Sequence, residues 1–355
     1  MLARVCGLGD PVLDIVAKVS YGLLESLHAE PGGSTTVEPE EMARLLSLPE
    51  VQQDCLRVPG GSSANVIGAL AGLSDKQLLV VFVGMLGSDA AGAEYRQKMQ
   101  AQGVDTRCLM EAASGTPTGT CLCLVTPDGQ RTMRTCLSAS KELSHPSQLP
   151  PALVAPGGLM HCEGYCLYRP QVAVAAMRAA RAAGGKVSLD LASFEVVRGC
   201  LGVLMDILRE QLVDLLFCNE QEAAALCQEA SQECGSTSEQ AIAAAQQHLL
   251  QFAEVVVVSR GAKGCIARRR GGECATAAAA QCQIVDTVGA GDHFSAGFLY
   301  AWLQGASLQA CAACGCAAGT AAVQVPGAAL GEADLDRLRQ QVERLLAEDG
   351  VRLDK

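Results

Sequence analysis

Asp286-Thr287-Val288-Gly289-Ala290-Gly291-Asp292 is the stretch from which the fold can be read outward. The apolar pair Ile284-Val285 ahead of it reads as the end of a strand, and residues 293–304 behind it carry a helical pattern. Gly289 and Gly291 let the backbone reverse between the two without a Cβ penalty. A strand, a glycine turn and a helix in that order aim the amides of the first helical turn, those of Ala290 and Gly291 among them, at one spot. Such a cluster, aided by the helix dipole, stabilises an anion. Asp292 stands at the same helix start, where a carboxylate can take the proton of an attacking hydroxyl while the amides hold charge on a phosphoryl group. The competing use of Asp292 is as a helix cap.

Apolar runs at 78–83, 159–162, 187–191, 215–218 and 255–258 are short and bounded by polar or glycine residues, as buried parallel strands are. Helical patterns fall between them, for example at 171–183 and 242–252, the second preceded by Ser236 and Glu239 in capping-box spacing. Residues 1–6 read as a first strand rather than a targeting sequence. This alternation predicts an α/β fold, a doubly wound, mostly parallel sheet flanked by helices, with ligands at the carboxyl ends of the strands. Two segments depart from it. Residues 118–125 and 131–136 flank the turn signal Pro127-Asp128-Gly129 and read as a β-hairpin, and residues 11–19 give another strand.

Length and composition bound the function. A chain of 355 residues, 49% of them hydrophobic, can bury one large α/β domain or two small ones. Its net charge of -11, with no Lys/Arg-rich block, argues against nucleic-acid and anionic-membrane partners and favours a small-molecule substrate. The 18 cysteines are scattered through apolar patterns, which reads as buried thiols in a reducing compartment rather than a disulfide scaffold. Cys311, Cys314 and Cys316 lack the second C-x-x-C pair of a zinc site, and His161-Cys162 with Cys166 is similarly incomplete. The Ala/Cys-rich segment 310–323 is too short and too interrupted for a membrane span. A cytoplasmic protein is expected, with a plastid precursor of longer N-terminus left open.

Further elements share the order of a known family. Pro59-Gly60-Gly61-Ser62-Ser63-Ala64-Asn65 fits G-G-x-x-x-N, and Gly84-Met85-Leu86-Gly87-Ser88-Asp89-Ala90-Ala91-Gly92 fits G-x-x-G-x-D-x-x-G. Asn219-Glu220-Gln221-Glu222 fits N-x-x-E, and Ser259-Arg260-Gly261-Ala262-Lys263-Gly264 fits T-x-G-x-x-G with Ser for Thr. With D-T-x-G-A-G-D at 286–292, the chain resembles the ribokinase/PfkB family of carbohydrate and nucleoside kinases. The resemblance implies a ribokinase-like domain over 1–355 with a small β-sheet lid from 10–58 and 106–139, the alternative being an edge extension of the main sheet. It also implies an ATP- and Mg²⁺-dependent phosphotransferase, a bound K⁺ in some members, and a monomer or homodimer.

Residue by residue, the resemblance makes Asp292 the base, Gly289, Ala290 and Gly291 the anion hole, and Arg131 a lid arginine over the phosphoryl group. Asp14, in Gly9-Asp10-Pro11-Val12-Leu13-Asp14-Ile15, stands at the sugar-binding position, where a carboxylate can accept from two vicinal hydroxyls. Gly60, Gly61 and Asn65 would meet the same sugar. Ser259, Gly261, Gly264, Asp286 and Thr287 would line the ATP site with Asn219, and residues 314–322 would pack near the adenine. Asn219 and Glu222 would hold Mg²⁺ through its waters. Read without the family, Asp14 is a turn or strand-edge acid, Glu222 a first-turn helix acid and Arg131 an exposed hairpin charge.

Pro117-Thr118-Gly119-Thr120 and Asn65-Val66-Ile67 repeat the P-T-G-T and N-x-I of adenosine kinases, and the Gly9 to Ile15 segment is similar to their G-N-P-L-L-D-I. A ribonucleoside acceptor, adenosine first, is the expectation. A sugar such as ribose or fructose is the alternative, and a catalytically silent scaffold a further one. Asp10 stands where those kinases carry Asn, and Glu163-Gly164-Tyr165-Cys166 where eukaryotic members carry A-G-F-F. Tyr165 can still stack on a base. Inosine, guanosine and cytidine stay open.

Overall fold

Fourteen strands make up two sheets in the computed structural model of the chain, which describes residues 4–28, 34–53, 55–113, 115–128, 131–151, 153–230 and 239–353. The strands are β1 Arg4–Leu8, β2 Val12–Lys18, β3 Ser34–Thr36, β4 Cys55–Gly60, β5 Leu79–Leu86, β6 Leu109–Glu111, β7 Gly119–Val125, β8 Arg131–Cys136, β9 Leu159–Glu163, β10 Lys186–Asp190, β11 Leu215–Asn219, β12 Val255–Ser259, β13 Cys265–Arg269 and β14 Cys274–Ala277. Nine form one sheet in the order β14-β13-β12-β11-β10-β9-β1-β5-β6. It is parallel from β12 to β6, and the antiparallel hairpin β13–β14 extends one edge.

Alternation along the strands explains the two helical layers. Val5, Leu159, Leu215 and Val255 point into one core, shared with helices Ser62–Ser74, Ala290–Leu303, Leu308–Ala322 and Glu332–Glu348. Their neighbours Cys6, Met160, Leu216 and Val256 point into the other, shared with helices Pro170–Ala182, Leu201–Arg209, Glu220–Ala230 and Glu239–Leu249. Strands apolar on both faces are what a doubly wound sheet requires, and each buried aliphatic side chain contributes roughly 1.5–3 kcal/mol. The fold is the expected ribokinase-like α/β architecture.

The smaller sheet runs β3-β8-β7-β2-β4. Ile15, Ala17, Leu122 and Leu124 on one face pack with Leu24, Met42, Leu45 and Val51 of three short helices. The opposite face carries Asp14, Cys121 and Thr135, register partners across β2, β7 and β8, and it turns toward the large sheet's carboxyl edge. The stretch 106–139 is divided between the sheets: its first part forms β6 on the large sheet, and β7 and β8 belong to the small one.

Several boundaries differ from the sequence reading. Ile284 and Val285 are not a strand end; they lie in an irregular loop, exposed by 61% and 54%. A two-residue apolar pair is too short to sustain a ladder, and the amides of Val285 and Asp286 instead bond the Val323 carbonyl behind the Leu308–Ala322 helix. The helix expected over 293–304 begins three residues earlier, at Ala290, because Gly289 takes a left-handed φ of 71° as its N-cap. The helix expected over 242–252 likewise begins at Glu239. Ser236 of its expected capping box, Gly129 of the hairpin turn and residues 1–3 lie outside the described residues.

Candidate active site

The carboxyl ends of the parallel strands converge on one cavity of about 830 Å³, with Asp10 just past β1, Glu163 ending β9, Asp190 ending β10, Asn219 ending β11 and Ser259 ending β12. Neighbours in the sheet order are register partners here: Glu163 with Asp190, and Asn219 with Ser259. The chain leaves β1 toward β5 on one side while β9 lies on the other, so the cavity sits at the topological switch point where open α/β sheets bind ligands.

Asp292 enters this cavity from the first turn of the Ala290–Leu303 helix, next to Gly291. Its carboxylate bonds to side chains of another helix. Its Oδ1 accepts from Ser62 Oγ at 2.7 Å and its Oδ2 from Asn65 Nδ2 at 2.8 Å. Ser62 and Asn65 lie three residues apart on the Ser62–Ser74 helix and therefore face the same way. Burial pushes the Asp292 carboxyl up to about 7, against the pull of those two donors, and the nearby Asp190 adds to the rise. An aspartate poised near neutrality beside a helix N-terminus can accept a proton from a hydroxyl.

Asp14 faces the same cavity from β2. Among the described residues no group donates a hydrogen bond to its carboxylate, and burial and the charge of Asp292 lift it to about 7 while Arg131 opposes the rise. Gly60 makes this placement feasible. A Cβ there would lie 2.2 Å from the Asp14 carboxyl carbon. Gly61, with φ +97°, directs the chain from β4 into the Ser62–Ser74 helix. The helix's amide end is held from outside its own sequence. Glu163 Oε2 accepts from the Ser63 amide at 2.6 Å and its Oε1 from the Asp10 amide at 2.8 Å. Asp10 in turn pairs with Arg169; burial raises both the Asp10 and the Glu163 carboxyls, Arg169 opposing the rise of Asp10 and the charge of Asp10 adding to that of Glu163. Tyr165 and Tyr168, on the 3-10 turn after β9, line the same cavity with 41% and 57% of their surface exposed.

Asn219 and Glu222 form a reciprocal cap at the start of the Glu220–Ala230 helix. Asn219 Oδ1 accepts from the Glu222 amide at 2.9 Å, and Glu222 accepts from the Asn219 amide at 2.8 Å and from Asn219 Nδ2 at 2.7 Å. This accounts for the N-x-x-E spacing in local physical terms. Both side chains also line the cavity, where burial and the neighbouring Asp190 raise Glu222. Asp190 accepts from the Ala192 amide and from Ser295 Oγ. Among the described residues neither acid is in an ion pair.

Other expected site residues lie around the cavity rather than on its wall. Gly289 and Ala290 form the helix start, and Thr287 is exposed one turn earlier. Gly261 and Gly264 bend the loop after β12, with φ of +55° and +84°. Asp286 and Arg131 are buried against each other as an ion pair. His161 and Cys162 sit inside β9, where His161 Nδ1 meets Ser188 Oγ at 2.9 Å and burial drops the imidazole to about 3.

The profile of the pfkB family carbohydrate kinases matches residues 40–334. The chain belongs to that family. It is a phosphotransferase acting on a hydroxyl acceptor. The kinase is 24% identical over 334 residues to adenosine kinase 1 of Arabidopsis thaliana, covering 90% of this chain and 94% of that one. It is 29% identical over 257 residues to the aminoimidazole riboside kinase of Salmonella typhimurium, covering 71% and 76%. The crystal structure of adenosine kinase from Sinorhizobium meliloti superimposes with a TM-score of 0.81 at 26% identity, covering 96% of this chain and all of that one.

Two motif details of the kinase have structural explanations. Thr118 of P-T-G-T donates to Asp89 at 2.6 Å through its hydroxyl and at 2.9 Å through its amide, while the Gly87 amide donates to its Oγ1 at 2.9 Å. That motif ties the start of β7 to the N-cap of the Ala90–Ala101 helix. Ile67 of N-x-I is fully buried against Gly7. Neither the Thr118 nor the Ile67 side chain lines the cavity. Sequence reasoning missed Ser62, Glu163, Asp190 and Arg169. Ser62 had a local signal in its three-residue spacing from Asn65, and Glu163 and Asp190 had one in their place at the carboxyl ends of apolar runs.

Proposed function

We propose that the protein transfers the γ-phosphoryl group of ATP to the 5′-hydroxyl of a ribonucleoside, adenosine foremost. The observation that carries this reading is the shared cavity of Asp14 and Asp292, with Tyr165 and Tyr168 exposed in its wall. Asp14 offers unpaired acceptors for the 2′- and 3′-hydroxyls. Asp292, oriented by Ser62 and Asn65, takes the proton from the 5′-hydroxyl. The tyrosines supply aromatic faces that a base can use and a bare sugar cannot. The amides of the Ala290–Leu303 helix start receive the charge on the phosphoryl group, and the small sheet serves as the lid above it. Full-length similarity to adenosine kinases supports the reading.

Mg²⁺ with the ATP phosphates would supply charge neutralisation in transfer. Asp190 and Glu222 suit a hydrated divalent ion: Glu222 is buried and Asp190 partly so, neither has a cationic partner among the described residues, and their oxygens keep lone pairs free for bound water. No group of three or more metal-ligating side chains occurs among the described residues, so the ion would be held through water and phosphate oxygens. Ser259, beside Asn219, faces the same end of the cavity.

A sugar acceptor is the second reading. The Asp10–Arg169 pair and Lys141 put charged groups on the cavity wall that could meet further hydroxyls in place of a base. Phosphorus NMR and mass spectrometry of the product of ATP and adenosine test the proposal. It predicts a 5′-monophosphate, with 5′-deoxyadenosine inert; a 2′- or 3′-phosphate, or no phosphorylated adenosine, would overturn it.

A further inference from the structure

Asp286 opens the sequence 286–292, yet its carboxylate does not line the cavity. Its side chain is 1% exposed and committed to protein donors: Oδ1 accepts from the Val288 amide at 2.9 Å, and Oδ2 accepts from the Gly327 amide at 2.5 Å and from the guanidinium of Arg131. Two of these donors are main chain of the large unit, so the carboxylate is fixed there. The third comes from β8 of the small sheet. Arg131 is thus held between the small sheet and the loop that starts the Ala290–Leu303 helix. Its Nη1 lies 3.9 Å from Cys123 Sγ on the adjacent strand β7, and by register Arg131 shares the face of Cys121 and Thr135, which is the site side of the small sheet.

From this arrangement we infer that Asp286 is a positioning residue for Arg131. It steers the guanidinium toward the helix N-terminus where the transferring phosphoryl group is to lie, and it does not itself contact nucleotide. A guanidinium has five donors in a planar fork, so bonding to Asp286 leaves others for a phosphoryl oxygen. A buried carboxylate with two main-chain donors is a rigid anchor, and a rigidly held arginine stabilises transferring charge without reorganising as the reaction proceeds. The signature's first aspartate then links closure of the small sheet to completion of the anion site. This inference rests on the phosphoryl-transfer reading of the cavity.

A double-mutant cycle tests it, run with whichever acceptor the wild-type enzyme phosphorylates, so that a wrong acceptor assignment does not bear on the result. Arg131→Gln should lower kcat by about 10³-fold, the lower range for loss of a transition-state arginine. Asp286→Asn alone should lower kcat by at least about 10-fold with little change in KM for the acceptor, and in the Arg131→Gln background should cost less than about 3-fold more. Losses that multiply in the double variant would show that Asp286 acts independently of Arg131 and overturn the inference. Should Asp286→Asn fail to fold, Arg131→Lys decides. An ammonium cannot bridge carboxylate and phosphoryl group as the fork does, so kcat should fall nearly as far as with Gln; retention of most activity would overturn the inference.

Discussion

Replacing Asp292 with Asn should abolish turnover and at the same time stabilise the protein at alkaline pH. Burial lifts the Asp292 carboxyl from 3.8 to about 7. An acid whose folded value is raised holds its proton better folded than unfolded, so its contribution to stability is present below the unfolded value of 3.8 and is lost as pH rises through about 7. A rise of about three pH units corresponds to a ceiling of about 4 kcal/mol. The carboxylate sits on the wall of a water-accessible cavity, so we take about half of this, ~2 kcal/mol, as the gain at pH 8. Little is lost in exchange. Ser62 can rotate its hydroxyl and the Asn65 amide can flip, so an asparagine at 292 keeps both neighbours bonded.

Thermal melts of wild type and Asp292→Asn at pH 8 and pH 5 measure the effect. The variant should melt higher at pH 8 by about 3 °C, and the gain should shrink toward pH 5. The same variant should lose about 10²–10⁴-fold in kcat, the range expected for a general base, with acceptor KM little changed. In the wild type, kcat should fall as pH drops below about 7. A variant that melts lower at pH 8, or whose difference from wild type ignores pH, would refute the electrostatic reasoning. Retained turnover would refute the assignment of the base.

Other outcomes follow from the same geometry. Glu222→Gln should raise the Mg²⁺ concentration for half-maximal rate by about 10-fold, because a ligand's neighbour loses charge while keeping shape; an unchanged Mg²⁺ titration would leave Glu222 only as half of the Asn219 cap. Gly60→Ala places a methyl group 2.2 Å from the Asp14 carboxyl carbon, so it should raise acceptor KM at least ~10-fold while kcat falls less. A kinetically silent Gly60→Ala would remove Asp14 from acceptor binding.

Legibility in the sequence followed burial. β11 and β12 were readable because Leu215 to Cys218 and Val255 to Val258 are buried on both faces and leave no polar residue to break the run. β4, Cys55–Gly60, was not, because Arg57 and Pro59 interrupt it and it lies at the edge of the small sheet, where such residues are tolerated. In the site, Asp292 was legible as a candidate from the glycine turn before it, and Asp14 and Asn65 only through the family resemblance. What holds them was not. The bonds from Ser62 and Asn65 to Asp292 span 230 and 227 residues, and that from Ser63 to Glu163 spans 100. No local periodicity records contacts made at such separation. The N-x-x-E element divides in the same way: the family resemblance assigned Asn219 and Glu222 to the phosphate end, whereas their reciprocal cap became visible only in the structure.

The central claim is that the cavity is built around a ribonucleoside, and kcat/KM for adenosine, 2′-deoxyadenosine, ribose and fructose, compared in one coupled ADP-release assay, tests it most directly. The account predicts adenosine above both free sugars, since base contacts contribute binding energy a sugar lacks. It predicts a loss of about 10²-fold or more for 2′-deoxyadenosine, which leaves an Asp14 acceptor unmatched. Ribose or fructose outperforming adenosine, or 2′-deoxyadenosine equalling it, would contradict the account.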